Sequence, residues 1–297
     1  MMIRQSLWTA MITPMQQDGS IDYNSFEQIL RKQEEAGNGV LVLGSTGEGL
    51  NLNDEEKKAV IKFTVDLDLK IPVMAGIGGF DLETQKEFIR FCDTHGVDAL
   101  LLVTPLYAKP GKYGQYEWFK SLMELTQTPC MLYNVPSRTG VKMHPTVPAM
   151  LSKEFSNLLG VKEASGSVEE FKAFREAAPE VDLYSGDDGM TPAFAKEGAV
   201  GLVSVASNVW PKATHRYVEM CLGGETSGLF PVWKEATDSL FKAPNPTPAK
   251  VLIRQKDWIS HETVRPPLAL EDVTDELREE LGRSEQSIAN WFSNHQQ

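Results

Sequence analysis

Up to Leu222 the chain alternates short, nearly continuous apolar runs with longer stretches whose apolar positions recur at helical spacing. The runs predict strands over 8–12, 40–43, 72–75, 99–103, 130–133, 158–161, 182–184 and 201–205. The longer stretches predict helices over 23–36, 54–66, 82–95, 115–126, 146–151, 168–178, 189–196 and 212–222. Asn53 followed by Glu55 and Glu56, and Asp81 followed by Glu83, mark two helix starts, because a short polar side chain satisfies the free amides of a first turn. Eight strand-helix units in succession point to an α/β fold, a parallel sheet closed into a (β/α)8 TIM barrel. An open doubly wound sheet produces the same alternation and stands as the runner-up. After Leu222 the rhythm changes to helical stretches over 226–242, 247–258 and 275–292, with proline-rich breaks at 243–248 and 265–267. The expected division is a barrel catalytic domain over 1–224 and a helical C-terminal domain over 225–297 packed on it.

Composition narrows the function class. The 297 residues can bury a large core, and a formal net charge of -12 argues against nonspecific binding of nucleic acid or anionic membrane, both of which want a basic face. Cys92, Cys130 and Cys221 lie far apart among apolar neighbours and read as reduced, buried thiols. The five histidines are scattered with no metal-ligand spacing. Residues 1–6 lack the basic-then-apolar layout of a signal peptide and no run reaches membrane-spanning length, so a cytoplasmic protein acting on small molecules is expected.

The candidate chemistry gathers where strands end, which in a barrel is where active sites are built. The run over 158–161 leads into Lys162, followed by Ala164-Ser165-Gly166. A lysine directed into a strand-lined interior needs a partner or a task, because burial disfavours its charged form. A desolvated amine loses its proton readily and can attack a ketone or aldehyde to form an imine. Pairing with Glu163 or Asp187 is the plain alternative. Gly44-Ser45-Thr46-Gly47-Glu48-Gly49 offers amides and two hydroxyls to an anion, and also reads as an ordinary tight turn. Tyr133 can carry a proton or simply pack, and Tyr107 has the same two readings. Arg138, after a proline-constrained loop, presents a fork that fits a carboxylate, or a surface salt bridge.

Gly44-Ser45-Thr46-Gly47-Glu48, Tyr133-Asn134-Val135-Pro136-Ser137-Arg138-Thr139-Gly140 and Val161-Lys162-Glu163-Ala164-Ser165-Gly166 together resemble the pyruvate-dependent class I lyase and aldolase family. Ser185-Gly186-Asp187-Asp188, Gly201-Leu202-Val203-Ser204-Val205 and Asn245-Pro246-Thr247-Pro248 support the likeness, which runs from about residue 8 to 268. The resemblance implies an imine between Lys162 and pyruvate, whose enamine attacks L-aspartate 4-semialdehyde on the route to diaminopimelate and lysine, with no metal or organic cofactor. It makes Tyr133 the central acid and base, linked through Ser45 to Tyr107 from the neighbouring subunit of a homotetramer built as a dimer of dimers. It gives Arg138 a substrate carboxylate, Thr46 the pyruvate carboxylate, the backbone at Val203 one wall of the pyruvate site and Gly186 its border. The family usually has threonine at Ser45; the hydroxyl is kept and one methyl lost, so a modest rate effect is expected.

At the positions that form an allosteric lysine pocket in inhibited members, this chain has Gly49, Leu50, Asp54, Lys57, Phe80 and Leu106, which implies weak or absent feedback by lysine. N-acetylneuraminate lyase and keto-deoxy sugar acid aldolases are the nearest alternatives, and Arg138 argues against their long polyol substrates. A non-catalytic keto-acid sensor is a rival of another class. The segment 271–297, which the likeness covers poorly, is expected to be a subunit-contact or capping helix.

Overall fold

Eight strands close on themselves in chain order, every neighbouring pair parallel: β1 (Leu7–Ala10), β2 (Gly39–Val42), β3 (Val73–Ile77), β4 (Ala99–Val103), β5 (Cys130–Asn134), β6 (Leu158–Glu163), β7 (Leu183–Ser185) and β8 (Gly201–Ser204). The computed structural model describes residues 5–225 and 230–295. Closure of β8 onto β1 excludes the open-sheet alternative. Between the strands lie α1 (Tyr23–Ala36), α2 (Asp54–Asp66), α3 (Leu82–His95), α4 (Lys112–Met123), α5 (Pro136–Thr139), α6 (Thr146–Leu151), α7 (Val168–Ala177) and α8 (Thr191–Lys196), and α9 (Pro211–Leu222) follows β8. Both expected caps form: the Asn53 side chain accepts from the Glu56 amide at 2.9 Å with Glu56 returning the bond, and Asp81 accepts from Thr84 at 2.8 Å.

Differences from the sequence expectation have local causes. Most strand ends shift by one or two residues, and β6 runs two residues further, taking in Lys162 and Glu163. α8 starts at Thr191 because the Asp187 carboxylate holds the Gly189 and Met190 amides at 3.0 and 3.3 Å outside the helix. α4 begins after Gly111 and stops before Thr126, whose hydroxyl donates to Asp93 at 2.8 Å. The loop expected before Arg138 is a single helical turn, α5, opened by Pro136.

Period-two alternation sorts the strand residues into two cores. Trp8, Ala10, Leu41, Met74, Ala99, Leu101, Met131, Leu159 and Val203 fill the barrel interior, while Leu7, Val40, Val42, Leu100, Leu102, Leu132 and Val161 pack outward against the helices. β6 breaks the alternation. Cys130 pairs with Leu158 but Met131 pairs with Gly160, so one extra residue is inserted. Strict alternation from the inward Leu159 would turn residue 162 outward; the bulge resets the phase and leaves Lys162 inward beside Tyr133, its register partner. Gly160 adopts φ 157°, and a Cβ there would stand 2.5 Å from the Asp182 carbonyl oxygen, so the bulge requires glycine.

Three further helices follow: α10 (Phe230–Ser239), α11 (Thr247–Gln255) and α12 (Asp275–Asn294). Residues 226–229 of the helix expected over 226–242 lie outside the described residues. α12 caps α9, α10 and α11, with the Trp233 ring stacked on Tyr217 at 4.2 Å and met edge-on by Trp291 at 5.1 Å. All three cysteines are free and buried. Among the described residues no helix is long and apolar enough to cross a membrane.

Candidate active site

Lys162 and Tyr133 sit side by side at the C-terminal end of the barrel interior, 5% and 7% exposed, with Lys162 Nζ 4.2 Å from the centroid of the phenol ring. Burial drives the lysine pKa down to about 7; the Asp188 carboxylate pulls it up and the Arg138 charge adds to the lowering. A neutral amine is therefore abundant at neutral pH, where a free lysine offers about one in a few thousand. Burial also raises the Tyr133 pKa, with Arg138 and hydrogen bonding from Ser45 working in the opposite direction, so the phenol keeps its proton until a base takes it.

The two carboxylates that the sequence offers as partners are engaged elsewhere. Glu163 accepts from Asn134 Nδ2 at 2.8 Å and from the Ser165 amide at 3.1 Å. Asp187 binds the two amides ahead of α8. Among the described residues Lys162 has no salt bridge, and the carboxylate that bears on it is the buried Asp188. Asp188 ties the end of β7 to β8, accepting from Ser204 Oγ at 2.5 Å and the Val205 amide at 2.9 Å, and burial raises its pKa to about 6. Asp188 is a residue that the sequence displays only as part of a matched motif; its role depends on strand adjacency. Gly186 completes this wall. A Cβ on it would stand 2.6 Å from Ala164 Cβ and 3.1 Å from Lys162 Cε, so the absent side chain is the space the lysine occupies.

A cavity of about 1090 Å³ opens above the pair, lined in part by Ser45, Tyr107, Tyr133 and Arg138. Thr46, Lys162, Gly186 and Val203 do not face this vestibule; Val203 belongs to the interior core with Tyr133, and Thr46 is 3% exposed. Arg138 is exposed and, among the described residues, makes no salt bridge, so its guanidinium is left to the cavity. Tyr107 is 91% exposed with a left-handed φ of 66°, the projecting side chain of a β4-α4 loop. Gly49, Leu50, Asp54, Lys57 and Leu106 line the same cavity, and Lys57 Nζ pairs with Asp54 at 3.3 Å.

The turn after β2 is fastened from two sides. Thr13 donates its hydroxyl to the Gly47 carbonyl at 2.7 Å. From the C-terminal extension, Asn245 Nδ2, in the turn before α11, donates to Thr46 Oγ1 at 3.0 Å, and the fully buried Lys250 of α11 donates to Glu48 at 2.5 Å and to the Thr263 carbonyl at 2.7 Å. Glu48 itself holds φ 52°, a strained conformation for a residue with a side chain. The sequence displays Asn245 only as part of the matched motif Asn245-Pro246-Thr247-Pro248, with no role attached, and gives no signal for Lys250.

Known proteins resemble this chain along nearly its whole length. The family model described as the dihydrodipicolinate synthetase family matches residues 4–286. A 4-hydroxy-tetrahydrodipicolinate synthase of Francisella tularensis subsp. novicida is 45% identical over 292 residues, 98% of this chain and 98% of its own length. A dihydrodipicolinate synthase of Bacillus anthracis superposes with a TM-score of 0.90 at 34% identity, covering 97% of this chain and 99% of that one. A dihydrodipicolinate synthase of Acinetobacter baumannii, crystallised in complex with pyruvate, gives a TM-score of 0.90 at 32% identity over 97% of this chain and 99% of that chain. A closed barrel, a bulge that turns a lysine inward, and relatedness along nearly the whole length lead to one assignment: the chain belongs to the dihydrodipicolinate synthetase family.

Proposed function

We infer that Lys162 forms an imine with pyruvate and that the resulting enamine condenses with L-aspartate 4-semialdehyde to give 4-hydroxy-tetrahydrodipicolinate. The observation that carries this reading is a lysine buried, among the described residues without a salt bridge, its pKa near 7, against a buried tyrosine. The neutral Nζ adds to the C2 carbonyl of pyruvate, and the carbinolamine loses its hydroxyl as water once a proton is delivered to it. Tyr133 is the group in reach to deliver that proton and to take it back. Loss of a C3 proton gives the enamine, whose carbon attacks the aldehyde. The amine of the second substrate then closes onto C2, and Lys162 leaves as a free amine. One water is released in the whole sequence, and electrons balance without an oxidant.

The exposed Arg138 fork suits the carboxylate of the incoming aldehyde. Thr46 suits that of pyruvate, with the Val203 backbone and Gly186 bounding the same position. Ser45 links Tyr133 toward Tyr107, which serves the site of a neighbouring subunit in a homotetramer. The exposure of Tyr107 in the single chain supports that role, since a side chain that projects into solvent from the rim of its own cavity is free to reach a neighbouring subunit.

The test is borohydride reduction of the protein with pyruvate, followed by intact mass and peptide mapping. A single pyruvate-derived adduct on Lys162 is expected, and a folded protein with no adduct would overturn the mechanism. Weak or absent inhibition by lysine is proposed from Gly49, Leu50 and Lys57 around the vestibule. Turnover unchanged in millimolar L-lysine is expected, and saturable inhibition refutes it.

A further inference from the structure

We propose that Asn245 is a positioning residue for pyruvate: by donating to the Thr46 hydroxyl oxygen, it sets the polarity of that hydroxyl so that its one proton is directed to the substrate carboxylate. The inference rests on the reading above in which Thr46 binds that carboxylate. A threonine hydroxyl has a single O–H and can spend it in one direction only. Here Oγ1 accepts from Asn245 Nδ2 at 3.0 Å, across 199 residues of sequence, and among the described residues Thr46 donates to no protein acceptor. Both side chains are buried, Asn245 at 7% exposed, so water does not compete freely for the bond.

Asn245 Oδ1 is buried with no partner among the described residues, so the bond to Thr46 is the one side-chain hydrogen bond that the amide makes among them. Five residues on, Lys250 holds Glu48 of the same turn through a buried ion pair. The stretch 245–250 thus grips both sides of Gly47, and the C-terminal extension becomes part of the pyruvate site although none of its residues touches the substrate.

The experiment compares Asn245→Ala, Asn245→Asp, Thr46→Val and the double variant Asn245→Ala/Thr46→Val in the full-length protein. It reads KM for pyruvate, KM for the aldehyde, kcat, and the pyruvate concentration that half-saturates borohydride trapping on Lys162. Thr46→Val and Asn245→Ala should each raise the pyruvate KM and the trapping midpoint about tenfold, the size of one hydrogen bond to a charged group, with the aldehyde KM unchanged. The double variant should be no worse than Thr46→Val alone, because both changes remove the same donor. Asn245→Asp is near-isosteric, which keeps the test alive if the alanine variant misfolds. It offers only an acceptor, draws the Thr46 proton to itself, and should weaken pyruvate at least as much. A pyruvate KM within twofold of the parent in a folded Asn245→Asp, or additive effects in the double variant, overturns the proposal. If Thr46→Val itself leaves the pyruvate KM unchanged, the Thr46 assignment fails, and this inference with it.

Discussion

At the scale of single residues the decisive quantity is the charge of Lys162. Its folded pKa near 7 lies below the ordinary lysine value of 10.5, so the unfolded chain binds the proton more tightly. The folded state is therefore penalised fully below pH 7, progressively less as pH rises toward 10.5, and not at all above it. Lys162→Met should raise stability by roughly 2–4 kcal/mol at pH 7 and by little near pH 10, measured as the pH dependence of thermal unfolding. An equal gain at both pH values would contradict the burial argument. Asp188 supplies the charge that opposes this depression. Asp188→Asn should move the acidic limb of imine trapping at saturating pyruvate to lower pH, because the amine then loses its proton more easily. A shift toward higher pH would remove Asp188 from the account.

Two elements carry the site. The β6 bulge turns Lys162 inward, and Gly160→Ala places a Cβ 2.5 Å from the Asp182 carbonyl oxygen at φ 157°. Straightening the strand would send Lys162 toward the helices. A loss of roughly 2–4 kcal/mol together with reduced trapping is expected, since an incompatible backbone position costs more than side-chain entropy returns. Gly282→Ala on α12, with nothing near the added methyl, serves as the control and should be neutral or slightly stabilising. The second element is the turn after β2. Lys250→Met strands the buried Glu48 and should cost roughly 3–5 kcal/mol, while Lys250→Met with Glu48→Leu should regain most of it. No recovery in the double variant would mean that the turn depends on the pair for shape as well as charge balance.

At the scale of the whole molecule, the proposed oligomer makes a prediction that no single chain can satisfy. Subunits carrying Tyr107→Ala and subunits carrying Lys162→Ala are each expected to be nearly inactive. After mixing and exchange, a heterodimer has one site with both residues intact, so about a quarter of the parental sites should return with random pairing. Activity that stays at the level of the separate variants would place Tyr107 outside the partner's site.

Much of this protein was legible along the chain. Alternating strand and helix periods implied eight repeated units, because a strand buried on both faces must be written in apolar residues and a covering helix in a one-sided stripe. The capped starts of α2 and α3 were equally local, and Lys162, Tyr133 and Arg138 announced themselves as costly or reactive side chains where strands end. Other features depended on tertiary structure. Barrel closure rests on β8 meeting β1, a pairing between residues near opposite ends of the barrel segment. The inward phase of Lys162 rests on a register shift against β5 that no period in β6 reveals. The roles of Asp188, Asn245 and Lys250 come from contacts across strands or across about 200 residues, as with Lys250 and Glu48, 202 positions apart. Periodicity reports which face of an element is dry; only the packed chain decides which polar group stands opposite another, because that depends on where the elements meet.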